Sequence, residues 1–174
     1  RVLVTRARPQ ASSLSRLLIE RGAQPIEMPT IEIQTIPITE ELNQAILNLE
    51  NYQWIVFTSV NGVASFFHQV YALSRDARSF KGIKIGAIGP ATAKALAERG
   101  LHTDYLPQIH TSQGFVSGLK EQDVSGCRFL LPRANIAPKE LADEITKLGA
   151  EVHEIIAYKT VLSNEAVSQG RQML

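Results

Sequence analysis

Polar side chains that could hold an anion follow the apolar run Trp54–Phe57. Thr58, Ser59 and Asn61 come directly after this run, and a helical pattern begins at Gly62. Hydroxyl and amide groups beside the free N–H groups of a helix N-terminus can bind a carboxylate or a phosphate. Ser59 or Asn61 could equally well serve as a plain N-cap of that helix. The sequence leaves both roles open.

A second candidate site follows the apolar residues 83–88. Gly89 permits a tight turn there, and Pro90 suits a first helical position because its missing N–H is not needed. Thr92 can then present its hydroxyl with the amides of the first turn to an anion. An ordinary strand-to-helix corner would use the same residues. The segment lacks the GxGxxG pattern of dinucleotide-binding loops, and the chain contains no Walker A phosphate loop.

Four further residues extend this set of candidates. Thr111 and Ser112 form a third polar cap before a helical pattern, while Arg6 and Arg133 each end an apolar run. An arginine at the carboxyl end of a strand can form a two-pronged ion pair with a carboxylate. The alternatives are a simple cap and solvated or salt-bridged arginines.

Tyr158 lies midway along the apolar residues 151–162. If this run bridges two domains, the phenol lies near the cleft between them, where it can donate a hydrogen bond or assist a leaving group. The alternative is an aromatic side chain on a half-buried strand. The 4 histidines lack the spacing of a metal site, and Cys127 has no activating motif, so neither residue type indicates a reaction centre.

Short apolar runs alternate with helical patterns along almost the whole chain, which predicts parallel sheets flanked by helices, the α/β class. Strands are predicted at 2–4, 25–36, 54–60, 83–88, 104–106, 128–131 and 151–162. Helices are predicted at 11–21, 40–49, 62–73, 91–99, 113–121 and 139–148. The strands 25–36 and 151–162 are about twice the usual length, so we interpret them as connectors between two domains.

One unit of the sequence occurs twice. A shift of 127 positions places Leu3 on Leu130, and identical residues recur over about thirty positions. The other identities pair Arg6 with Arg133, Ala7 with Ala134, Leu14 with Leu141, Gly22 with Gly149, Ala23 with Ala150 and Glu27 with Glu154. Residues 54–107 follow the first copy, and a counterpart of about 80 to 90 residues would follow the second in a complete repeat. We therefore expect the chain to be a piece of a longer protein.

Composition excludes several function classes. The formal net charge of +1 gives no electrostatic footprint for nucleic acid. No apolar run approaches the roughly 20 residues that a membrane span needs. The single cysteine excludes an intramolecular disulfide and any zinc site built from several cysteines.

Four segments, in this order, resemble uroporphyrinogen-III synthases. They are Val2-Leu3-Val4-Thr5-Arg6, Trp54-Ile55-Val56-Phe57-Thr58-Ser59-Val60-Asn61-Gly62-Val63, Ile85-Gly86-Ala87-Ile88-Gly89-Pro90-Ala91-Thr92-Ala93 and Ala157-Tyr158-Lys159-Thr160. The resemblance implies two flavodoxin-like α/β domains joined by a two-stranded connector, with the active site in the cleft. Domain 1 would hold residues 1–36 and 159–174, discontinuous and incomplete, and domain 2 would hold residues 37–158.

The resemblance also implies an activity. Hydroxymethylbilane would be cyclised to uroporphyrinogen III with ring D inverted and water lost, in haem, sirohaem and cobalamin biosynthesis. No metal or organic cofactor is expected, and the location would be cytoplasmic. Transient contact with porphobilinogen deaminase and fusion to a uroporphyrinogen methyltransferase are the implied partner relationships.

Site residues carry over from the same segments. Tyr158 would assist the loss of water. Substrate-binding roles fall on Arg6, Thr58, Ser59, Asn61, Gly89, Thr92, Thr111, Ser112 and Arg133. The alternative is a non-catalytic two-lobed binding protein for a small anionic ligand. A single flavodoxin-like nucleotide-binding domain is a third interpretation, and the repeat and the missing phosphate loop argue against it.

Overall fold

The alternating patterns fold into alternating strands and helices in the computed structural model, which describes residues 1–37 and 39–163 apart from the side chains of residues 8–10. The first elements are β1 (Val2–Val4), α1 (Arg8–Glu20), β2 (Pro25–Glu27), β3 (Ile31–Thr35) and α2 (Glu40–Leu47). They are followed by β4 (Trp54–Phe57), α3 (Val60–Ala72), β5 (Lys84–Ala87), α4 (Pro90–Ala97), α5 (Ser112–Leu119), β6 (Arg128–Ala134), α6 (Glu140–Lys147) and β7 (Glu151–Leu162).

The chain divides into two compact units. Unit 1 comprises Arg1–Gln34 and the residues from Lys159 onward, and unit 2 comprises Thr35–Tyr158. In unit 1, β1 and β2 pair in parallel. The Ser163 N–H donates to the Thr30 carbonyl oxygen at 3.0 Å. Residues 164–174, which belong to the predicted domain 1, lie outside the described residues.

The sheet of unit 2 contains four parallel strands in the order β7-β6-β4-β5. The segment predicted as a strand at 104–106 forms only a single parallel bridge, between Tyr105 and Gly86, at the β5 edge. The observed sheet confirms the prediction of a parallel α/β architecture. Numbered along the chain with Tyr105 counted, the order is 3-2-1-4-5, which differs from the flavodoxin order 2-1-3-4-5.

Helices cover both faces of this sheet. Ile55 and Phe57 of β4 pack into a core that contains residues of α2, α3 and α4, while Trp54 and Val56 pack against α5 and α6. A strand that is covered on both faces must be apolar at every position, because neither face meets water. All four residues of β4 are accordingly buried.

The direction in which successive strands are added across the sheet reverses between β4 and β6. From β4 the chain moves outward to β5 and Tyr105, and it then returns to the other side of β4 to form β6 and β7. In open parallel sheets, ligands bind beyond the carboxyl ends of the strands at such a switch point. The fold therefore predicts a ligand-binding site at the residues that follow β4 and β6.

The structure reproduces the sequence repeat as an identical strand register. Leu3 of β1 pairs with Ile26 of β2, and Leu130 of β6 pairs with His153 of β7. Both pairs are related by the same shift of 127 positions that aligns the two copies. The strand–helix–strand unit predicted from the repeat is therefore confirmed in both places.

The two predicted long strands differ in outcome. The second is a continuous strand, Glu151–Leu162, with the predicted bounds. The first is interrupted, because residues 28–30 separate β2 from β3. Pro29 lies in this break, where the absence of a backbone N–H removes a ladder hydrogen bond.

Candidate functional site

The carboxyl ends of the parallel strands of unit 2 meet at one edge of the sheet. The Ile88 N–H donates to the Phe57 carbonyl oxygen at 3.1 Å, which places the end of β5 beside the end of β4. The Asn135 N–H donates to the Tyr158 carbonyl oxygen at 3.2 Å. The segments predicted to carry chemistry after β4, β5, β6 and within β7 therefore share this edge.

Ser59 joins two of these segments. It is the N-cap residue of α3, and its Oγ accepts a hydrogen bond from the Gly62 N–H at 3.0 Å. The same Oγ lies 3.0 Å from the hydroxyl oxygen of Tyr158. The capping role considered from the sequence is confirmed. The contact with Tyr158 adds a second role that no local pattern indicated.

Tyr158 is buried against the start of α3. Its side chain has only 7% of its surface exposed. A Cβ atom at Gly62 would lie 3.8 Å from the Tyr158 ring atom Cε1 and 3.3 Å from the Pro132 carbonyl oxygen. A glycine at position 62 therefore lets the helix N-terminus approach the end of β6 closely, and the phenol ring lies at ordinary contact distance from the same position.

Arg133 is committed to contacts within unit 2. Its guanidinium forms an ion pair through Nη1 with Glu154, and Nη2 donates to the Pro138 carbonyl oxygen at 2.5 Å. The side chain is 6% exposed. These contacts engage Nη1 and Nη2 and hold the end of β6, whereas Nε is buried without a hydrogen-bond partner among the described residues. A substrate-binding role for Arg133 stays a prediction.

The repeat partner of this ion pair is arranged differently. Glu27 occupies the position equivalent to Glu154, and it accepts a hydrogen bond from the Ser15 hydroxyl. Arg6, the equivalent of Arg133, is exposed in unit 1. A substrate-binding role for Arg6 stays a prediction.

The candidate substrate-binding residues at the starts of α3 and α4 differ in how accessible they are. Gly89 is the N-cap of α4 and is partly exposed. Thr92 is 4% exposed, and its N–H donates to the Gly89 carbonyl oxygen at 3.0 Å. The amide of Thr92 is therefore not available to an anion, in contrast to the expectation from the sequence. Thr58 and Asn61 are partly exposed.

Thr111 and Ser112 lie at the far edge of the sheet. Thr111 caps α5 by accepting from the Gly114 N–H at 3.0 Å, and it lines an open groove of about 810 Å³ that also contacts Tyr105. Tyr105 and β7 are at opposite ends of the strand order. Neighbouring strands lie about 4.8 Å apart, so roughly 19 Å across the sheet separates Thr111 from Tyr158. The structure therefore does not bring these two residues together.

A second polar cluster was not predicted from the sequence. It lies before β4, towards the amino ends of the parallel strands. The Tyr52 hydroxyl is 2.6 Å from His153 Nδ1, and His153 Nε2 is 3.4 Å from a carboxylate oxygen of Glu41. Burial raises the pKa of Tyr52, an effect that the Arg128 charge opposes. These residues are distant in the sequence, and no local motif connects them.

The described ranges 1–37 and 39–163 contain neither a metal-binding cluster nor a membrane-spanning helix. No group of three histidine, cysteine or acidic side chains in these ranges could hold a metal ion. No helix within them is long and apolar enough to cross a membrane.

Comparison with known proteins points to one family. The family model described as uroporphyrinogen-III synthase HemD matches residues 12–174. The chain is 34% identical over 165 residues to the porphyrin biosynthesis protein HemD of Ruminiclostridium josui, covering 95% of this chain and 33% of that protein. It is 32% identical over 160 residues to the uroporphyrinogen-III synthase of Synechococcus elongatus, covering 91% of this chain and 60% of the relative.

A solved structure supports the fold. A mutant uroporphyrinogen-III synthase from Thermus thermophilus superposes with a TM-score of 0.73 at 19% identity, covering 96% of this chain and 65% of the other. The chain thus spans between one third and two thirds of the length of these three proteins.

Proposed function

The chain belongs to the uroporphyrinogen-III synthase HemD family, and from this premise we propose that the whole protein cyclises hydroxymethylbilane to uroporphyrinogen III, a lyase reaction that inverts ring D and releases water. The observation that carries the proposal is the pairing of Tyr158 with Ser59 at the carboxyl edge of the unit 2 sheet. A protic side chain is held there beside a helix N-terminus, at the switch point where ligands bind in open parallel sheets.

We propose that Tyr158 is the catalytic residue that assists the departure of the hydroxyl group. The hydroxyl would leave with a proton as water, and its C–O bond electrons would go with it, which leaves a cationic azafulvene. The substituted carbon of ring D would then attack this cation and form a spiro intermediate. Fragmentation and reclosure would complete the inversion, with one proton released so that the net loss is water.

The remaining task is to hold a flexible, multiply charged substrate in one conformation. The N-terminal ends of α3 and α4 lie at the same sheet edge, and the positive ends of the two helix dipoles favour carboxylates there without requiring a large net positive charge. Thr58, Asn61 and Gly89, which are partly exposed, are the substrate-binding residues that this arrangement supports best. Arg6, Thr111 and Ser112 stay candidates without support from the Ser59–Tyr158 pair.

The domain arrangement is part of the proposal. Residues 37–158 would form one α/β domain and residues 1–36 and 159–174 would contribute to the other, joined by a two-stranded connector. Leu3 is 50% exposed, whereas its repeat counterpart Leu130 is fully buried between β4 and β7. This difference supports a larger domain in which the sheet face that holds Leu3 is also covered. The cytoplasmic location and the contacts with a deaminase or a fused methyltransferase belong to the same proposal.

The alternative, a non-catalytic binding protein for a small anion, is not favoured by the family match. The full-length protein should be supplied with porphobilinogen and porphobilinogen deaminase, and the uroporphyrin isomers separated after oxidation. A predominance of the type III isomer supports the synthase. Formation of only the type I isomer, which arises by spontaneous closure, would overturn the proposal.

A further inference from the structure

We propose that Ser59 is a positioning residue for Tyr158, and that an extra residue in β7 turns the phenol towards it. The inference rests on the proposed catalytic role of Tyr158 and adds to it the device that aims this side chain. Three independent features of unit 2 carry it: the strand register, the face on which Tyr158 lies, and the hydrogen bonds of the Ser59 hydroxyl.

The register of β6 and β7 changes immediately before Tyr158. Arg133 pairs with Ile156, but the next residue, Ala134, pairs with Tyr158. Ala157 is therefore an additional residue on β7, a β-bulge. Bulges reverse the regular alternation of side chains between the two faces of a sheet, and they occur next to active sites, where they re-aim a side chain.

The side chains of β7 show this change of face. Ile155 packs into the core formed with α3, and Glu154 and Ile156 lie on the opposite face beside Arg133. Strict alternation would place Tyr158 on the face of Ile156. The contact with Ser59 instead places it on the α3 face. One extra residue accounts for the difference.

Contacts on both sides of the bulge hold it in place. The ion pair between Arg133 and Glu154 ties the two strands together just before the extra residue. The Asn135 N–H then donates to the Tyr158 carbonyl oxygen at 3.2 Å, just after it. The backbone of Tyr158 is thereby fixed, and only its side-chain torsions remain to be set.

Ser59 sets them. Its Oγ accepts from the Gly62 N–H, which fixes the hydroxyl oxygen relative to the start of α3. That oxygen can still donate its own proton to the phenol oxygen, or accept the phenol proton, at 3.0 Å. Either orientation keeps the phenol at the helix N-terminus, where an anionic substrate would bind.

The test uses the full-length protein with tyrosine labelled by ¹³C at Cζ, and the signal of Tyr158 is assigned by its disappearance in Tyr158→Phe. We expect Ser59→Ala to shift this signal and to lower kcat about tenfold with KM changed less than about twofold, as loss of one hydrogen bond predicts. Ser59→Thr, which retains the hydroxyl, should restore the signal and bring kcat to within about threefold of the original.

The matched control is Thr39→Ala. Thr39 caps α2 by accepting from the Leu42 N–H at 3.2 Å, so this variant loses a cap of the same kind away from the site. It should move neither the Tyr158 signal nor kcat. Equal losses of kcat in Thr39→Ala and Ser59→Ala would reduce Ser59 to an ordinary cap and overturn the inference.

Two other results would also overturn it: a Tyr158 signal that does not move in Ser59→Ala, or a higher KM at unchanged kcat, which indicates that Ser59 binds substrate directly. Failure of the proposed function is distinguishable from these results. It would appear as the absence of type III product from the unaltered protein, while the labelled tyrosine would still report whether Ser59 positions the phenol.

Discussion

The hydroxyl of Tyr158 lies 3.0 Å from Oγ of Ser59, although 99 positions separate the two residues in the chain. The contact joins β7 to α3, the helix that follows β4, and β6 lies between β7 and β4 in the sheet. A side chain near the end of β7 thus shares a helix N-terminus with the residues after β4. The position of the Tyr158 phenol and the packing at the start of α3 are therefore coupled.

Replacing Tyr158 by phenylalanine tests the phenol directly. We expect kcat of the full-length protein to fall by about two to four orders of magnitude, the usual contribution of a positioned proton donor. The ring is kept, so the free energy of unfolding should change by only about 1 kcal/mol. Turnover and isomer ratio are measured together with urea denaturation.

Tyr71→Phe is the control for this change, since Tyr71 is 51% exposed on α3. It should leave turnover unaltered. Turnover that is also unaltered in Tyr158→Phe would remove the phenol from the mechanism.

A methyl group at Gly62 should disturb the same contact from the helix side. The added Cβ would lie 3.3 Å from both the Pro132 carbonyl oxygen and Ser59 Oγ. We expect Gly62→Ala to destabilise the protein by about 1–3 kcal/mol, as overpacking does. A shift of Ser59 Oγ, which contacts the phenol, should also lower kcat.

Gly89→Ala serves as the reference for stability, because no atom lies within 4 Å of a Cβ built at Gly89. Its cost should be less than about 1 kcal/mol. Equal destabilisation by the two substitutions, measured by urea denaturation, would contradict close packing at Gly62.

The ion pair between Arg133, which is buried, and Glu154, which is partly exposed, can be tested by removing one partner. Arg133→Met leaves Glu154 without its partner, and we expect a loss of about 1–3 kcal/mol in the free energy of unfolding, because water partly solvates the remaining charge. The double variant Arg133→Met, Glu154→Leu should recover much of this loss, because no charge is then left without its partner.

Arg6→Met is the matched control, since Arg6 occupies the equivalent repeat position but is exposed. Its effect on stability should stay within about 0.5 kcal/mol. A double variant that is as unstable as the sum of its single variants would show that the two charges do not interact.

Stability at alkaline pH should depend on Tyr52. Burial raises the pKa of this phenol above its ordinary value of 10.0, with smaller effects from Arg128, Glu151 and Glu41. The folded state then holds the proton more tightly than the unfolded state. The resulting stabilisation is complete below the unfolded pKa and is lost as the pH rises through the folded pKa.

We therefore expect the free energy of unfolding to decrease from about pH 9 upward and Tyr52→Phe to flatten this decrease. The same substitution removes the hydrogen bond to His153 and should cost about 1 kcal/mol at neutral pH. An equally steep slope in Tyr52→Phe would refute the assignment.

Local patterns in the sequence were sufficient for the class of fold. The apolar run that begins at Trp54 predicted a strand, and the structure shows all four residues of β4 buried because helices cover both faces of the sheet. The repeat of Leu3 on Leu130 predicted two copies of one strand–helix–strand unit, and both have the same register. Ser59 was one of two residues that the sequence offered as a cap, because capping depends only on residues within one helical turn.

The interruption between β2 and β3 was only partly foreseeable. Pro29 indicated a position without a ladder donor, yet the run 25–36 was predicted as one strand. The Arg133–Glu154 pair had a signal that could have been used, since both residues recur as Arg6 and Glu27 in the first copy. The exposure of these residues differs between the two copies because different strands lie beside them in the sheet. An alignment of the two copies contains no information about which strands lie beside each one.

By itself, the sequence determined the parallel α/β architecture, the repeated unit, the positions of the helix caps and the residues with suitable chemistry. These properties depend on side-chain type and on spacing within a few turns or strands. The tertiary structure alone decided which of those residues meet. The bulge at Ala157 reverses the alternation that β-strand spacing predicts, and so places Tyr158 on the face of Ser59 while Arg133 is retained by Glu154 on the other. Long-range register, which closes only when the whole sheet forms, is the physical reason that no local pattern could reveal this arrangement.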